Sequence, residues 1–261
     1  MDHVRPRTTL IICILLIIYT VVLISLAHAD SLTCINCSLA SINSTITITT
    51  GTIGGGGVGS CASYDLVCQG FETATTGYDN SETWTPNLAG GTITPTYATS
   101  PAPLEGTQSL RVVGAGAFAG TATTKTFTAS SSVYTYAMVN VAASYYYFFD
   151  IAGYCSLLVD NSNQWNVECG GGTATDGSMT AGTYYVWLEY VKGTGSNGIC
   201  RAYISATTTK PGSPTVQKTN CTNTLDANQI SLMSISSSAG TIAIFDHVRA
   251  QSTGAIGSNP Q

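Results

Sequence analysis

The amino-acid sequence predicts an all-β fold of the sandwich or barrel type, and three observations lead to this prediction. Short segments rich in β-branched and aromatic residues follow one another from about residue 70 onward, separated by turns rich in Gly, Ser and Asn. No segment shows a long apolar stripe at helical spacing. The chain has 261 residues, of which 44% are hydrophobic and 9% are charged, so the class of disordered proteins is excluded.

The predicted strands are short, and turn residues mark their boundaries. The glycine-rich stretches 114–116, 170–172 and 193–198 separate neighbouring strands. Many short strands at this spacing are typical of a β-sandwich or a β-barrel. The predicted strands span residues 109–113, 121–128, 133–141, 145–151, 155–159, 165–169, 183–192, 199–205, 229–234 and 241–250.

The charge balance indicates which partners the chain does not bind. Acidic residues outnumber Lys and Arg by 14 to 9, which gives a formal net charge of −5. A protein that binds nucleic acid neutralises phosphate groups with a basic patch. The sequence therefore predicts no nucleic-acid partner.

The first 29 residues are typical of a signal peptide. Basic residues precede the uncharged apolar run 10–26, and small residues at Ala27 and Ala29 form a cleavage motif. We expect a signal helix that is cleaved before Asp30, and a secreted, extracellular chain. The alternative is that the segment is retained as a membrane anchor, since the apolar run is close to the lower limit for spanning a bilayer.

Cysteine usage agrees with export. Removal of residues 1–29 takes away Cys13 and leaves eight of the nine cysteines, an even number typical of disulfide bonds in a secreted protein. Two probable hairpins, with turns at 161–163 and 210–214, each have a cysteine at both ends. The predicted pairs are Cys34–Cys37, Cys61–Cys68, Cys155–Cys169 and Cys200–Cys221.

The four N-terminal cysteines allow a second interpretation. Cys34, Cys37, Cys61 and Cys68 have a spacing that a four-thiolate zinc site could use. A redox CxxC motif normally opens a helix in a βαβ unit, and no such unit is visible around Cys34 and Cys37. Structural disulfides are therefore the leading interpretation and zinc is the alternative.

The chain divides into segments of different composition. Residues 30–69 form a segment rich in Cys, Thr and Gly, and the Ile/Thr alternation of 42–53 predicts one extra N-terminal strand there. A single strand needs a sheet, so it could complete the sheet edge of its own or another chain. We expect a sandwich domain over 70–253 and a flexible tail over 254–261.

Several short motifs follow one another in a recognisable order. They are Gly70-Phe71-Glu72, the strand around Glu105-Gly106-Thr107-Gln108-Ser109-Leu110-Arg111, the aromatic strand 183–190 and the closing Phe245-Asp246-His247-Val248-Arg249. Their order resembles the concanavalin A-like, laminin-G-like jelly-roll domains of secreted proteins. This resemblance covers about residues 70–250, and it implies a two-sheet antiparallel jelly-roll sandwich with its first and last strands adjacent. Together with the cysteines it predicts a disulfide-stapled jelly roll.

Catalytic machinery is not visible in the sequence. His247 is the one histidine left after removal of the signal peptide, and it adjoins Asp246 on a strand, so the two side chains are expected on opposite faces. We interpret His247 as a residue on the outer face of the last strand. The resemblance would require closely spaced carboxylates on one strand for a glycosidase, and the acids here are scattered. We therefore predict that the chain is not an enzyme.

The resemblance also implies a structural calcium ion. In related jelly-roll modules an acidic residue early in the first strand and an Asp in the last strand meet around Ca²⁺, which oxygen ligands bind. Glu72 and Asp246 occupy the matching positions. The alternative is that one of them pairs with Arg249 or Arg111, or faces solvent.

One pair of predicted strands carries residues suited to sugar binding. Tyr185, Trp187 and Glu189 share one face of the first strand, and Arg201 and Tyr203 share a face of the next. If the strands are antiparallel neighbours, these five residues form one surface of aromatic and polar groups, and sugar rings stack on such rings. The alternative is that this face is the core.

These observations predict an exported, non-catalytic module that binds a carbohydrate or cell-surface glycan, as in adhesion. The first alternative is a self-assembling extracellular subunit of a filament or sheath, which uses the strand in 42–53 for sheet-edge pairing. The second alternative is a polysaccharide-acting enzyme of the same fold.

Overall fold

The computed structural model of the protein describes residues 65–71, 84–87, 96–98, 102–116, 121–141, 146–254 and 256–257. Every regular element in these ranges is a β-strand, so the all-β prediction is confirmed. Several predictions fall on residues outside these ranges. They are the signal helix in 1–29, the strand in 42–53, the thiols of Cys34, Cys37 and Cys61, and the carboxylate of Glu72.

Fifteen strands are defined within the described residues. They are β1 (Asp65–Gln69), β2 (Thr85–Asn87), β3 (Thr96–Ala98), β4 (Ser109–Ala115), β5 (Thr121–Ser130), β6 (Ser132–Val141), β7 (Tyr146–Ile151), β8 (Cys155–Val159), β9 (Gln164–Cys169), β10 (Gly172–Ser178), β11 (Gly182–Val191), β12 (Gly198–Ser205), β13 (Val216–Cys221), β14 (Ala227–Ser236) and β15 (Ala239–Gln251).

The strands form two antiparallel sheets that pack face to face. The first sheet has the order β13-β12-β11-β6-β15-β4-β3, and β1 also pairs with β15. The second sheet has the order β10-β9-β8-β7-β14-β5-β2. The predicted two-sheet antiparallel sandwich is therefore confirmed. The pairing of β1 with β15 places the first described strand beside the last, as the resemblance implies.

The predicted strands correspond to β4–β9, β11, β12, β14 and β15, and the second predicted hairpin supplies β13. Strands β1, β2, β3 and β10 were not predicted. The sequence of β10, GTATDGS, has no apolar alternation, and its residues are almost all exposed. Gly170 and Gly171 form the tight turn from β9 into β10, and Gly171 and Gly172 have φ values of 116° and 113°. The glycines that predict an interruption thus mark a hairpin turn.

The core lies between the two sheets. Val186, Leu188 and Tyr190 of β11 are fully buried in it, together with Phe148 and Phe149 of the second sheet. Side chains of a strand alternate between its two faces. The other residues of β11 therefore point to the face of the first sheet that lies away from the core, which we call the outer face.

The disulfide pairs differ from those that the sequence predicts. Cys155 is bonded to Cys200, and Cys169 is bonded to Cys221, so the predicted pairs Cys155–Cys169 and Cys200–Cys221 are wrong. Both predicted hairpins are present as β8–β9 and β12–β13. All four cysteines belong to the core cluster, so each faces the opposite sheet rather than its hairpin neighbour.

The two bridges therefore join one sheet to the other at the end of the sandwich formed by β8, β9, β12 and β13. Cys68 is also disulfide-bonded. Its partner lies outside the described residues, since the other described cysteines pair with one another. Disulfides persist in oxidising compartments, so the bonds indicate such an environment for the folded chain. Among the described residues, no helix has the length and apolar character needed to cross a membrane.

Candidate functional site

The five residues predicted to bind a ligand come together on the outer face of the first sheet. Strands β11 and β12 are antiparallel neighbours in which Trp187 lies opposite Tyr203 and Glu189 lies opposite Arg201. Tyr185 lies two residues before Trp187 and shares its face. The shared face is the outer face, because the intervening residues belong to the core between the sheets.

The aromatic residues of this face form a cluster separate from the main core. Tyr136, Trp187, Tyr203 and Ile256 are its buried members, with Tyr185 packed against them. The Tyr136 ring centroid lies 5.3 Å from that of Trp187 and 6.5 Å from that of Tyr185. Tyr136 was missed in the sequence because nothing local indicates that β6 pairs with β11. We call the side chains of Tyr136, Tyr185, Trp187 and Tyr203 the aromatic cluster.

The centre of the aromatic cluster is covered by residues that follow β15. Trp187 is fully buried, and Ile256, which belongs to the same buried cluster, has only 4% of its own surface exposed. The indole Nε1 of Trp187 donates a hydrogen bond of 3.1 Å to the carbonyl oxygen of Gly257. Tyr134 and Tyr185, at the margin of the cluster, stay partly exposed. Ile256 and Gly257 fall within the segment 254–261 that the sequence assigns to a flexible tail.

A charged group borders the aromatic cluster on one side. The carboxylate of Glu189 is 1% exposed and lies 2.6 Å from Arg201 Nε and 2.5 Å from Lys210 Nζ. Lys210 Nζ also lies 4.3 Å from the Tyr203 ring centroid. Lys210 belongs to the β12–β13 turn, and no local feature of the sequence indicates that this turn folds over the outer face. One buried anion thus holds two cations beside an aromatic ring.

The surroundings of this group shift the pKa values of two side chains. Burial opposes the charge of Arg201, but its hydrogen bond and Coulomb attraction to Glu189 raise the Arg201 pKa above its usual value. Burial, followed by repulsion from Glu189, raises the pKa of Tyr203. Both residues therefore keep their usual protonation at neutral pH, with Arg201 charged and Tyr203 neutral.

A second polar group lies where β15 has a β-bulge. Asp246 pairs with Met138, and Arg249 pairs with Tyr136, so one extra residue interrupts the strand between them. His247, in this bulge, has a φ of 48°. The interruption breaks the alternation of side chains. The prediction that Asp246 and His247 point to opposite faces is therefore wrong, and His247 Nε2 lies 3.9 Å from Asp246 Oδ1.

His247 also pairs with a residue of the loop before β4. Its Nε2 lies 3.1 Å from Glu105 Oε2, and the exposed fractions of the two side chains are 3% and 33%. His247 is a buried imidazole behind a carboxylate that reaches solvent. Burial, followed by repulsion from Glu105, raises the pKa of Tyr185, so this group adjoins the aromatic cluster.

The described residues offer a poor fit to the calcium ion implied by the resemblance. Asp246 Oδ2 accepts hydrogen bonds from Ser109 Oγ at 2.8 Å and Glu105 N at 3.3 Å. Asp246 Oδ1 accepts one from His247 N at 2.9 Å. Donors therefore occupy most of the acceptor positions of this carboxylate. No group of three or more His, Cys, Asp or Glu that could hold a metal occurs among the described residues. Calcium bound by Glu72 and Asp246 stays a prediction.

Comparisons with known proteins identify the fold and not a family. No family model matches the sequence, and no curated protein matches it either. Among solved structures, "Cellulose induced protein, Cip1" is 15% identical, with a TM-score of 0.52, over 72% of this chain and 97% of that chain. An endo-beta-1,4-glucuronan lyase from the fungus Trichoderma reesei is 13% identical, with a TM-score of 0.43, over 70% of this chain and 91% of that chain.

A third similar structure is alginate lyase Aly36B, which is 12% identical, with a TM-score of 0.38, over 62% of this chain and 87% of that chain. At 15% identity the likeness to Cip1 shows the fold alone. The class defined by the fold is that of the all-β sandwich proteins.

The prediction that the chain is not an enzyme is corrected, because the similar solved structures include two enzymes, the glucuronan lyase and the alginate lyase. The prediction depended on the absence of closely spaced carboxylates along one strand. A sandwich also gathers polar groups from separate elements, as it does with Glu105 and His247, and sequence spacing does not show such a pair.

Proposed function

We propose that the outer face binds a glycan chain, with the aromatic cluster as the binding surface. The observation that supports this proposal best is the position of Tyr136, Trp187 and Tyr203. These three large rings lie together on the face of the sheet that does not pack against the second sheet. A sandwich core needs apolar side chains between its sheets, so the main core does not account for them.

The chemistry of the face suits a sugar ligand. Aromatic rings stack on the apolar C–H faces of sugar rings, and neighbouring polar groups bind the hydroxyls. Arg201 and Lys210 share one carboxylate, that of Glu189, so this side of the face has an excess of one positive charge. A guanidinium group binds carboxylates in a planar, bidentate manner. We therefore propose a glycan that contains uronate residues.

The fold and the disulfides support the setting of this function. We propose that the chain is a secreted, concanavalin A-like jelly roll. The two inter-sheet disulfides suit an oxidising extracellular compartment. The structural likeness to Cip1 supports the sandwich fold on which the proposed surface is built.

Isothermal titration calorimetry with an alginate trisaccharide and a neutral cello-oligosaccharide of equal length tests this proposal. We expect the uronate ligand to bind more tightly, and Arg201→Gln to remove most of that preference. The exposed Lys192→Gln change is the matched control, since Lys192 pairs with Asp226 rather than Glu189. The proposal is contradicted if neither oligosaccharide binds to the natural chain or to Ile256→Ser, a variant that weakens the cover over the aromatic cluster.

A second candidate function is a polysaccharide-acting enzyme, favoured by the contact between His247 and Glu105 beside Tyr185. A buried imidazole that holds a partly exposed carboxylate is an arrangement that general acid–base catalysis uses. Incubation with a panel of acidic polysaccharides, followed by analysis of released oligosaccharides, tests it. Products that appear with the natural chain and disappear with Glu105→Gln support the enzyme; no products from any polysaccharide contradict it.

A further inference from the structure

The segment that follows β15 contacts the aromatic cluster in the way that a ligand would. Ile256 places its apolar side chain in the buried cluster that Tyr136, Trp187 and Tyr203 form. The carbonyl oxygen of Gly257 accepts a hydrogen bond from Trp187 Nε1 at 3.1 Å. The carbonyl oxygen of Ile256 accepts one from Lys210 Nζ at 3.4 Å.

These contacts use the same groups that the proposed glycan would use. The Ile256 side chain takes the place that the C–H face of a sugar would have beside the rings. The carbonyl oxygens of Gly257 and Ile256 accept hydrogen bonds from the indole N–H and the Lys210 ammonium group, as sugar hydroxyls would. A glycan cannot stack on Trp187 while Ile256 covers it, because Trp187 is fully buried in this arrangement.

The segment is held by few interactions compared with the strands beside it. Strand β15 ends at Gln251, and no strand pairing is present among the described residues after it. One hydrogen bond, from Ser132 Oγ to the carbonyl oxygen of Ser252, fixes the start of the segment. Beyond it, in the described part of the segment, Ile256 and Gly257 contact the aromatic cluster and Lys210. Segments with few buried contacts open locally without unfolding of the whole domain.

We propose that Ile256 and Gly257 form an intramolecular competitor of the glycan, so that the binding surface opens only when this segment leaves it. The proposal rests on the proposed function of the outer face. It predicts that the observed affinity equals the intrinsic affinity reduced by the fraction of molecules in the open state. Any change that favours the open state therefore tightens glycan binding.

The first test needs no ligand. Replacement of Ile256 by Ser removes the apolar contact with the aromatic cluster, and we expect acrylamide to quench tryptophan fluorescence more strongly because Trp187 becomes accessible. Leu225→Ser is the matched control, since it removes a large apolar side chain that is 60% exposed and belongs to a residue whose carbonyl oxygen bonds Tyr190 of the main core. Equal quenching in the natural chain, Ile256→Ser and Leu225→Ser overturns the proposal.

The second test measures binding of an alginate trisaccharide to the same three full-length proteins. We expect Ile256→Ser to bind about tenfold or more tightly than the natural chain, and Leu225→Ser and the conservative Ile256→Val to bind like the natural chain. A free peptide with the sequence of residues 252–257 should weaken binding to Ile256→Ser, whereas the same peptide with Ser in place of Ile should not. An unchanged melting curve of Ile256→Ser verifies that the domain stays folded.

The outcomes separate this proposal from the proposed function. If all variants bind the trisaccharide with equal affinity, the proposal that Ile256 and Gly257 compete with the glycan is overturned, and the proposed glycan site is retained. If no variant binds the trisaccharide although Ile256→Ser shows increased quenching, the aromatic cluster has been opened and still binds no glycan. That result overturns the proposed glycan site, and the segment then has no glycan to compete with.

Discussion

Glu189 and Arg201 face each other on neighbouring strands, with 2.6 Å between the carboxylate Oε2 and the guanidinium Nε. The other oxygen of Glu189 lies 2.5 Å from Lys210 Nζ. One buried carboxylate therefore fixes a strand residue and a turn residue at the border of the aromatic cluster. The position of Glu189 therefore determines where the positive charges of Arg201 and Lys210 lie relative to the proposed ligand.

The first prediction concerns the stability that this carboxylate provides. Glu189→Gln leaves two partly buried cations without their anion, and we expect it to lower the free energy of unfolding by about 3 kcal/mol. Urea denaturation measures this change. The control is Asp226→Asn, which breaks the exposed pair with Lys192 and should cost less than about 1 kcal/mol. Equal losses in the two variants would show that burial of Glu189 has no special effect.

The second prediction concerns disulfide connectivity. Non-reducing peptide mapping should recover Cys155 linked to Cys200 and Cys169 linked to Cys221. Removal of either bridge by a double Cys→Ala change should cost about 2–4 kcal/mol, because each closes a long loop between the sheets. Recovery of a peptide in which Cys155 is linked to Cys169 would contradict this connectivity and support the hairpin pairing that the sequence predicts.

The third prediction concerns a tyrosine of the core. Burial, then repulsion from Tyr154 and Asp226, raises the pKa of Tyr190 from 10.0 to about 12, and its hydroxyl donates to the carbonyl oxygen of Leu225 at 2.7 Å. Because the folded-state pKa is raised, the stabilising contribution is complete below pH 10 and is lost as the pH rises through about 12. The ultraviolet titration of the natural chain minus that of Tyr190→Phe should show one tyrosine ionising near 12. A difference curve centred at 10 would contradict this assignment.

The fourth prediction concerns the carboxylate of Asp246. Asp246→Asn should lower the free energy of unfolding by about 1–3 kcal/mol, because the amide cannot accept all the hydrogen bonds from Ser109, Glu105 and His247. Thermal melting measures the change. If Asp246→Asn melts like the natural chain, this hydrogen-bond network contributes little to stability.

Calcium at Glu72 and Asp246 has its own test, and it stays a prediction. If the ion is bound, EGTA lowers the melting temperature of the natural chain and has no effect on Asp246→Asn. The same response to EGTA in both proteins contradicts the assignment of Asp246 as a ligand.

The strands were predictable from sequence because their signals are local. Alternation and turn residues located β11 and β12, and the register of these strands follows from the turn between them. The same reasoning placed Tyr185, Trp187 and Tyr203 on one face. Strand β10 could not be predicted, because almost all of its residues are exposed and no apolar residues alternate with polar ones along it.

The rest of the site depends on contacts between distant parts of the chain. A bulge at His247 is invisible to a rule of strict alternation, yet it creates the contact with Glu105. Likewise, Lys210 reaches Glu189 from a turn, and Ile256 reaches Trp187 after the last strand. Cysteines that face across a sandwich pair by three-dimensional position, which hairpin spacing does not indicate.

The most direct test of the glycan site is a ¹H–¹⁵N NMR titration of the tryptophan indole N–H groups with an alginate trisaccharide. We expect the indole resonance of Trp187 to shift in a saturable way as its bond to Gly257 is replaced, and those of Trp84 and Trp165 to stay in place. A titration in which the Trp187 resonance does not move, in either the natural chain or Ile256→Ser, contradicts the assignment of the outer face as a glycan-binding surface.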